Sequence, residues 1–386
     1  MTAVNDLSYS GWSRIRACPL RAAFALDPTT TGLDRGTPYS AIGNARHRLF
    51  ELVAEGRREG RVDPNRRWVR VQFDRCVSME RDRLTEQWSP AEVPPVRGWP
   101  DIALTRAKIS KELGTEDGPD WPEPQITSPD AGAIANTFYS PTVPVLPRPG
   151  EVATEVTLRD TQRALWGRID RLENRSGVIV VVDFKSGIGA SREQLIERHR
   201  LQLLFYAGLV NQSYGVWPVL ELVPVNGGAV HLDYDHTDVE SVRAEAVADR
   251  AGFNADAAAG NLASAVQASA ERCAWCPFQP VCPALLSQWS TASSGAAPLG
   301  RSVSLATGRV QEVRHHHSST DVVLSQSQQL TAPAGEVVVT RLPPGLTTSI
   351  GDGLTVSRVS PAGSDRVVRA QWDSLYWTTS FGERRG

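Results

Sequence analysis

The sequence predicts an α/β core, a mixed β-sheet flanked by helices, followed by a small all-β region. Three observations carry that reading. Residues 152–185 hold three compact β-like runs, the last of which, Val178–Val182, is apolar and β-branched throughout. Helical periodicity lies on both sides of these runs. After residue 300 helical spacing disappears, and short β-like runs alternate with glycine and proline turns.

Between Gly11 and Leu26, the positions Ile15, Cys18, Ala22 and Ala25 recur at helical spacing, with Ser10 as the expected N-cap and a break near Pro19. A second helix is expected from about Ile42 through Val53. Pro90–Gly150 is dense in proline and reads as an inserted segment of loops with at most short helices. Strands are then expected at Val152–Leu158, Ala164–Glu173 and Val178–Lys185, with Asn174–Gly177 as the turn between the last two. A helix from about Glu193 to Ser213 leads to a strand at Val219–Val225, a turn at Asn226-Gly227-Gly228 and a strand at Ala229–Tyr234. Asp238–Ala270 reads as an alanine-rich helix and Cys273–Cys282 as a short irregular knot. Ser287–Gly300 has linker composition. The expected domains are therefore 1–286, with an insertion at about 90–150, a linker at 287–301 and a small β-rich domain at 302–386, for which an OB-like barrel is the expected form.

A chain of 386 residues is long enough for two domains. Its 41% hydrophobic and 22% charged residues are ordinary for a globular protein. No uninterrupted apolar run is long enough to span a membrane and the first ten residues do not read as a secretory signal, so a cytoplasmic location is expected. A net charge of −2 excludes a globally basic nucleic-acid binder. Local charge is another matter: between Arg57 and Arg83 nine arginines face five acidic residues, either a solvated helical face or a surface that tracks phosphates. Five cysteines, an odd number, argue against a disulfide framework, and Cys76 reads as a small buried hydrophobe.

Side chains alternate along a strand, so Asp183 and Lys185 share one face of the third run while Phe184 points to the other. A turn folds this strand back on Trp166-Gly167-Arg168-Ile169-Asp170, which can bring Asp170 beside Asp183. Two carboxylates so placed repel unless a cation lies between them. Hard oxygen donors suit Mg²⁺ or Mn²⁺, which acidify a bound water and neutralise charge on a phosphodiester. An isolated Asp-x-Lys is usually a strand-end ion pair. Here the chain has only three lysines against 38 arginines, which singles Lys185 out.

Gly-x-Ile-Asp, a short hairpin, and an apolar run into Asp183-Phe184-Lys185-Ser186-Gly187 together resemble the core motif of the PD-(D/E)XK nucleases, in particular the RecB-like branch that includes AddB and CRISPR-associated RecB-like exonucleases. Ser8-Tyr9-Ser10 with Cys18-Pro19 resembles the opening helix of that branch. Gly43-x-x-x-His47 with Glu51 resembles its histidine motif, and Gln202-x-x-x-Tyr206 the helix after the lysine strand. The resemblance covers roughly Leu7–Leu285. It implies a restriction-endonuclease-like core, Asp170 and Asp183 as metal ligands, His47 and the Phe184 carbonyl as further ones, and Lys185 as the catalytic lysine. Glu155 matches the acidic position of the preceding strand, with Glu151 nearby. Gln202 and Tyr206, one helical turn apart, would face the site together.

Cys273-x₂-Cys276-x₅-Cys282, with Cys18 far upstream, offers four soft thiolates, which suit zinc or an iron–sulfur cluster, and spacing alone does not choose. The resemblance implies a [4Fe–4S] cluster that closes a loop of about 255 residues. It further implies cleavage of DNA, single-stranded or with free ends, in repair, recombination or defence, with a helicase or other DNA-processing protein as partner. The rival expectation is a non-catalytic, cluster-stapled DNA-binding or assembly module. His315-His316-His317 reads as a polar loop, because consecutive strand residues cannot all face one ion. Trp372, Tyr376 and Trp377 read as core packing, with base stacking as the alternative.

Overall fold

The computed structural model describes residues 3–58, 65–87, 93, 95–99, 102–112, 144–185, 192–224, 229–273, 276–291, 305–329, 335–342, 346–357, 359–362, 367–370 and 376–379. The turn expected at Asn226–Gly228 and Trp372 lie outside them.

The first sheet runs β1 (Leu7–Ser8), β3 (Leu165–Arg175), β4 (Val178–Lys185), β5 (Val219–Pro224), β6 (Val230–Leu232), with β2 (Val152–Asp160) also paired to β3. β2, β3 and β4 are antiparallel in chain order, joined between β3 and β4 by a tight turn in which the Asn174 side chain accepts the Gly177 N–H at 2.7 Å. β4 and β5 are parallel, so the chain must cross over between them, and helix α6 (Arg192–Tyr214) makes that crossing.

Each face of β4 meets a different layer. Ile179 and Val181 join the main core with Leu203, Phe205 and Leu209 of α6, whereas Val180, Val182 and Phe184 pack toward Phe50 of helix α3 (Pro38–Arg58). α6 is buried without interruption from Leu203 to Val210, because it lies between the sheet and helix α7 (His236–Ala259). This burial accounts for the weak amphipathicity of its sequence. Helices α1 (Tyr9–Ala17) and α2 (Pro19–Leu26) complete that layer; α3 packs on α4 (Arg66–Gln87) and α5 (Ile102–Glu112) around a second core that includes Leu49, Phe73 and Ile109.

Gly167 lies where β3 passes closest to α6. A Cβ built there would stand 2.8 Å from the Tyr206 ring and 2.9 Å from Leu209, both fixed by the core. Gly167→Ala is therefore expected to destabilise the protein by about 1–3 kcal/mol through overpacking. Thermal melts of the two proteins check it.

Several boundaries differ from the expectation, each for a physical reason. Ser8, not Ser10, caps α1, its Oγ accepting the Gly11 N–H at 3.1 Å. The break expected near Pro19 is present: Cys18, with φ −168°, is extended backbone, and Pro19 opens α2 at its first position. α3 is longer than expected at both ends. Within the inserted segment α5 is a full helix, held by Ile109 in the second core. The alanine-rich helix stops at Ala259 because Gly260 adopts a left-handed φ of 74° and its N–H bonds back to the last turn. Two short elements follow, α8 (Ala270–Cys273) and α9 (Pro283–Thr291), and α9 extends into the stretch read as linker.

The C-terminal region is all-β, as expected. Its strands are β7 (Leu305–His315), β8 (Thr320–Gln329), β9 (Gly335–Leu342), β10 (Gly353–Ser357), β11 (Val359–Pro361), β12 (Val367–Ala370) and β13 (Tyr376–Thr379). They form one sheet in the order β11-β12-β9-β8-β7-β10-β13. The seven strands among the described residues are two more than an OB-type barrel uses. Val310, Leu324, Val339 and Val356 fill its core. The three histidines are exposed in the β7–β8 hairpin, where His316 Nε2 lies 3.1 Å from Asp321 Oδ2. Trp377 on β13 is half-buried.

Candidate active site and cysteine cluster

The sheet splits at Asp170. The first half of β3 pairs with β1 and the second half with β4, whose ladder runs from Arg175↔Val178 to Arg171↔Val182. Beyond that pair the Phe184 N–H turns to the Asp170 side chain, donating to Oδ2 at 3.0 Å. On the other edge of β3, the ladder with β2 pairs Thr154 with Arg171 and Val156 with Ile169 and leaves out Glu155, whose φ is 52°. A left-handed glutamate inside a strand is strained, at a cost on the order of 1–3 kcal/mol. Strain of this kind gathers at functional sites.

Helix α3 brings His47 to the same point. Its Nδ1 lies 3.8 Å from Asp170 Oδ2 and 4.0 Å from Glu155 Oε1. Among the described residues, His47, Glu155 and Asp170 are the one group of three potential ligands whose donor atoms all lie within 4.8 Å of one another. A small cavity lined by these three and by Phe50, Thr154, Arg171 and Phe184 leaves about 10 Å³ for the centre of a water-sized sphere, which is about the space one water or ion occupies. One imidazole and two carboxylates form a donor set suited to a divalent cation of the Mg²⁺ or Mn²⁺ type. Arg168 Nε, 2.5 Å from Glu155 Oε2, offsets part of the negative charge.

Asp183, Lys185, Gln202 and Tyr206 form the adjoining half. Lys185 Nζ lies 2.5 Å from Asp183 Oδ2 and donates to Gln202 Oε1 at 2.8 Å. Gln202 Nε2 donates to Asp183 Oδ1 at 3.1 Å and to the Tyr206 hydroxyl at 3.2 Å. Burial pushes the Asp183 carboxyl up to about 7, against the pull of the Lys185 ammonium, and the charge of Asp170 raises it further. Asp183, expected as a ligand beside Asp170, is not among the three grouped donors, although its carboxyl feels the charge of Asp170. The Tyr206 hydroxyl is raised by burial, opposed by the Gln202 bond.

Two participants, Arg46 and Phe50, carry no signal of their own in the sequence. Arg46, only 1% exposed, donates to the Lys185 carbonyl at 2.8 Å and lies over the Phe50 ring at 5.1 Å. Phe50 in turn stacks on Phe184 at 4.6 Å, which ties the end of β4 to the helix that carries His47. Tyr9 packs edge-on against Tyr206 at 6.4 Å, and its hydroxyl is raised by burial and by the charge of Asp183. Arg46 stands one residue before His47 in the same motif; beyond that, it is one arginine among 38. The side chain of Glu51 is outside the described residues.

His199, one turn before Gln202 on α6, titrates in the accessible range. Burial, and then the charges of Lys185 and Arg198, bring it from an ordinary 6.5 down to about 4. A histidine depressed by folding binds fewer protons in the folded than in the unfolded chain between those two values, so its contribution is complete above pH 6.5 and is lost as the pH falls toward 4. Melting temperatures measured across that window should fall more steeply for the wild type than for His199→Asn.

The four cysteines singled out in the sequence sit at or beside the ends of short helical elements. Cys18 ends α1, Cys273 ends α8, Cys276 follows, and Cys282 precedes α9. Burial raises the thiols of Cys273, Cys276 and Cys282, that of Cys276 to about 12, and all three also feel the charge of Cys18. Phe24 of α2 packs on Phe278 at 5.6 Å, and Gln279 donates to the Cys273 carbonyl. Four thiols are the kind of donor set that suits a soft metal centre.

The sequence profile of the PD-(D/E)XK nuclease superfamily, proteins that use divalent metals, matches residues 6–283. No curated protein matches the chain. Among the described residues no helix is long and apolar enough to cross a membrane. Sheet, split and carboxylates all fall inside the matched span, which exceeds half of the sequence, and on that ground the chain belongs to the PD-(D/E)XK nuclease superfamily.

Proposed function

We propose that the protein is a Mg²⁺- or Mn²⁺-dependent deoxyribonuclease of the RecB-like branch that cleaves single-stranded or end-containing DNA exonucleolytically in repair, recombination or defence. The observation that carries this reading is the juxtaposition of the His47–Glu155–Asp170 group with the Asp183–Lys185 pair across the β3–β4 split.

His47, Glu155 and Asp170 would hold the cation, with Asp183 and the Phe184 carbonyl completing its shell. Such a cation, when bound, supplies an acidified water and positive charge opposite the phosphoryl oxygens. Lys185 carries its own charge to the reacting phosphate, where an ammonium stabilises developing negative charge. Gln202 holds the ammonium by its carbonyl oxygen and Asp183 by its amide, so the cation and the carboxylate keep a fixed distance. Tyr206 and Gly167 set the position of Gln202 from behind. Arg46 fixes the backbone at Lys185 from the opposite layer.

The same reading assigns Cys18, Cys273, Cys276 and Cys282 to a [4Fe–4S] cluster that staples the two ends of the nuclease domain. One feature supports it: Cys18 lies within electrostatic reach of the other three. Unwinding of a duplex end would come from a helicase partner.

End-labelled single-stranded, double-stranded and closed circular DNA, digested with Mn²⁺, Mg²⁺ or chelator, tests the proposal. The expected result is metal-dependent shortening from the ends of linear DNA, lost in Asp170→Asn, with closed circles resistant. Equal cutting of closed circles would overturn the exonuclease, and cleavage indifferent to chelator would overturn the metal site.

A further inference from the structure

The arginine-rich stretch of the sequence is sorted by the fold. Of the first ten residues of α4, Arg66–Arg75, four are arginine and only Asp74 is acidic. Arg66, Arg67 and Arg70 are exposed, and none has a carboxylate partner among the described residues. They gain nothing from the helix dipole, which favours acidic side chains in a first turn. Helix packing therefore does not explain them. Beside Arg70 a groove of about 320 Å³ opens between α4 and α5, lined by Arg70, Ala103, Arg106 and Ala107. Arg70 from α4 and Arg106 from α5 border this space together with two small side chains, Ala103 and Ala107. The acid beside the groove, Asp74, pairs with Arg106, and both are about half exposed, so solvent screens the pair and a phosphate can compete for it.

We propose that this groove grips the sugar–phosphate backbone of the DNA strand being cleaved, away from the point of cleavage. The proposal rests on the reading of the chain as a deoxyribonuclease. Placement supports it. α4 packs along α3, and Glu80 of α4 accepts from Asn44 at 2.9 Å, one turn before His47. From Glu80 back to Arg70 is about 15 Å of helix axis. That distance spans about four phosphates at the roughly 3.4 Å per strand of B-form DNA. Guanidinium forks match phosphate oxygens in pairs, and backbone contacts of this kind give affinity without sequence preference. A strand anchored here would present successive linkages to the metal site, and substrates too short to reach the groove would lose the anchor.

The test compares the full-length, metal-replete protein with Arg70→Ala/Arg106→Ala and with Arg70→Lys/Arg106→Lys. Binding of a fluorescent 20-nucleotide single strand is measured against KCl concentration without divalent salt, and cleavage of the 20-mer and a 4-mer is measured in Mn²⁺. The slope of log affinity against log salt should become shallower by about one to one and a half in the alanine variant, at roughly 0.7 for each phosphate that is no longer neutralised, and stay near wild type in the lysine variant. The kcat/KM advantage of the 20-mer over the 4-mer should fall about tenfold in the alanine variant. An unchanged slope and advantage, with DNA still cleaved, overturns the groove and leaves the nuclease standing. A shifted slope with no cleavage by any of the proteins keeps the groove and sinks the nuclease; a wild type that does not bind the 20-mer overturns the groove, and one that also fails to cleave it overturns both.

Discussion

Lys185→Ala is expected to lower the cleavage rate about a thousandfold without weakening Mn²⁺ binding. Lys185 is 18% exposed at its side chain and held from two directions by Asp183 and Gln202. Nothing in that arrangement makes it a metal ligand. Its charge opposes a cation bound at Asp170 and Asp183, so removing it leaves metal affinity equal or higher while the reacting phosphate loses its ammonium. Lys185→Arg should not rescue the rate, because the planar fork does not fit a pocket shaped around a point charge between Gln202 and Asp183. Single-turnover cleavage and Mn²⁺ titration at pH 8, above the raised Asp183 value, separate the two effects. Loss of metal binding in step with loss of rate would make Lys185 structural.

Cys18→Ser is expected to lower the melting temperature by about 10 °C or more and to abolish a brown, visible-absorbing chromophore in protein prepared without air. The magnitude follows from the loop that Cys18 closes. Joining residues about 255 apart removes unfolded-chain entropy worth about 5 kcal/mol if a cluster behaves as a covalent cross-link does. For a protein of this size each kcal/mol shifts the midpoint by about 2–4 °C. Serine keeps the shape of the side chain, so reduced packing contributes little. A colourless wild type with one tightly bound zinc would replace the iron–sulfur assignment. An unchanged melting temperature would remove the staple altogether.

The central strands are legible in the sequence because their signal is local. Val178–Val182 reads as a buried strand from composition, and alternation alone sets Asp183 and Lys185 against Phe184, as the two packing layers around β4 bear out. Gly260 shows the limit of periodicity: the alanine-rich pattern continues past it, and only its backbone conformation ends the helix. α5 is hidden among prolines, since its helix depends on Ile109 entering a core built by α3 and α4. In the site, Glu155 can be named as a carboxylate on the preceding strand, but the left-handed turn that aims it at His47 is invisible to any pattern. Arg46 escapes notice because its role is a backbone hydrogen bond across 139 positions of sequence. Such pairings are properties of the fold, and no spacing rule announces them.

The most direct test of the metal site is anomalous diffraction from crystals soaked in Mn²⁺. One peak is expected in the cavity between α3 and the β3–β4 split, about 2.1 Å from an Asp170 oxygen and bonded also to His47 or Glu155, with Asp183 and Lys185 alongside. A peak elsewhere, or none at millimolar Mn²⁺ with Asp170 and Asp183 turned to separate surfaces, would contradict the proposed chemistry.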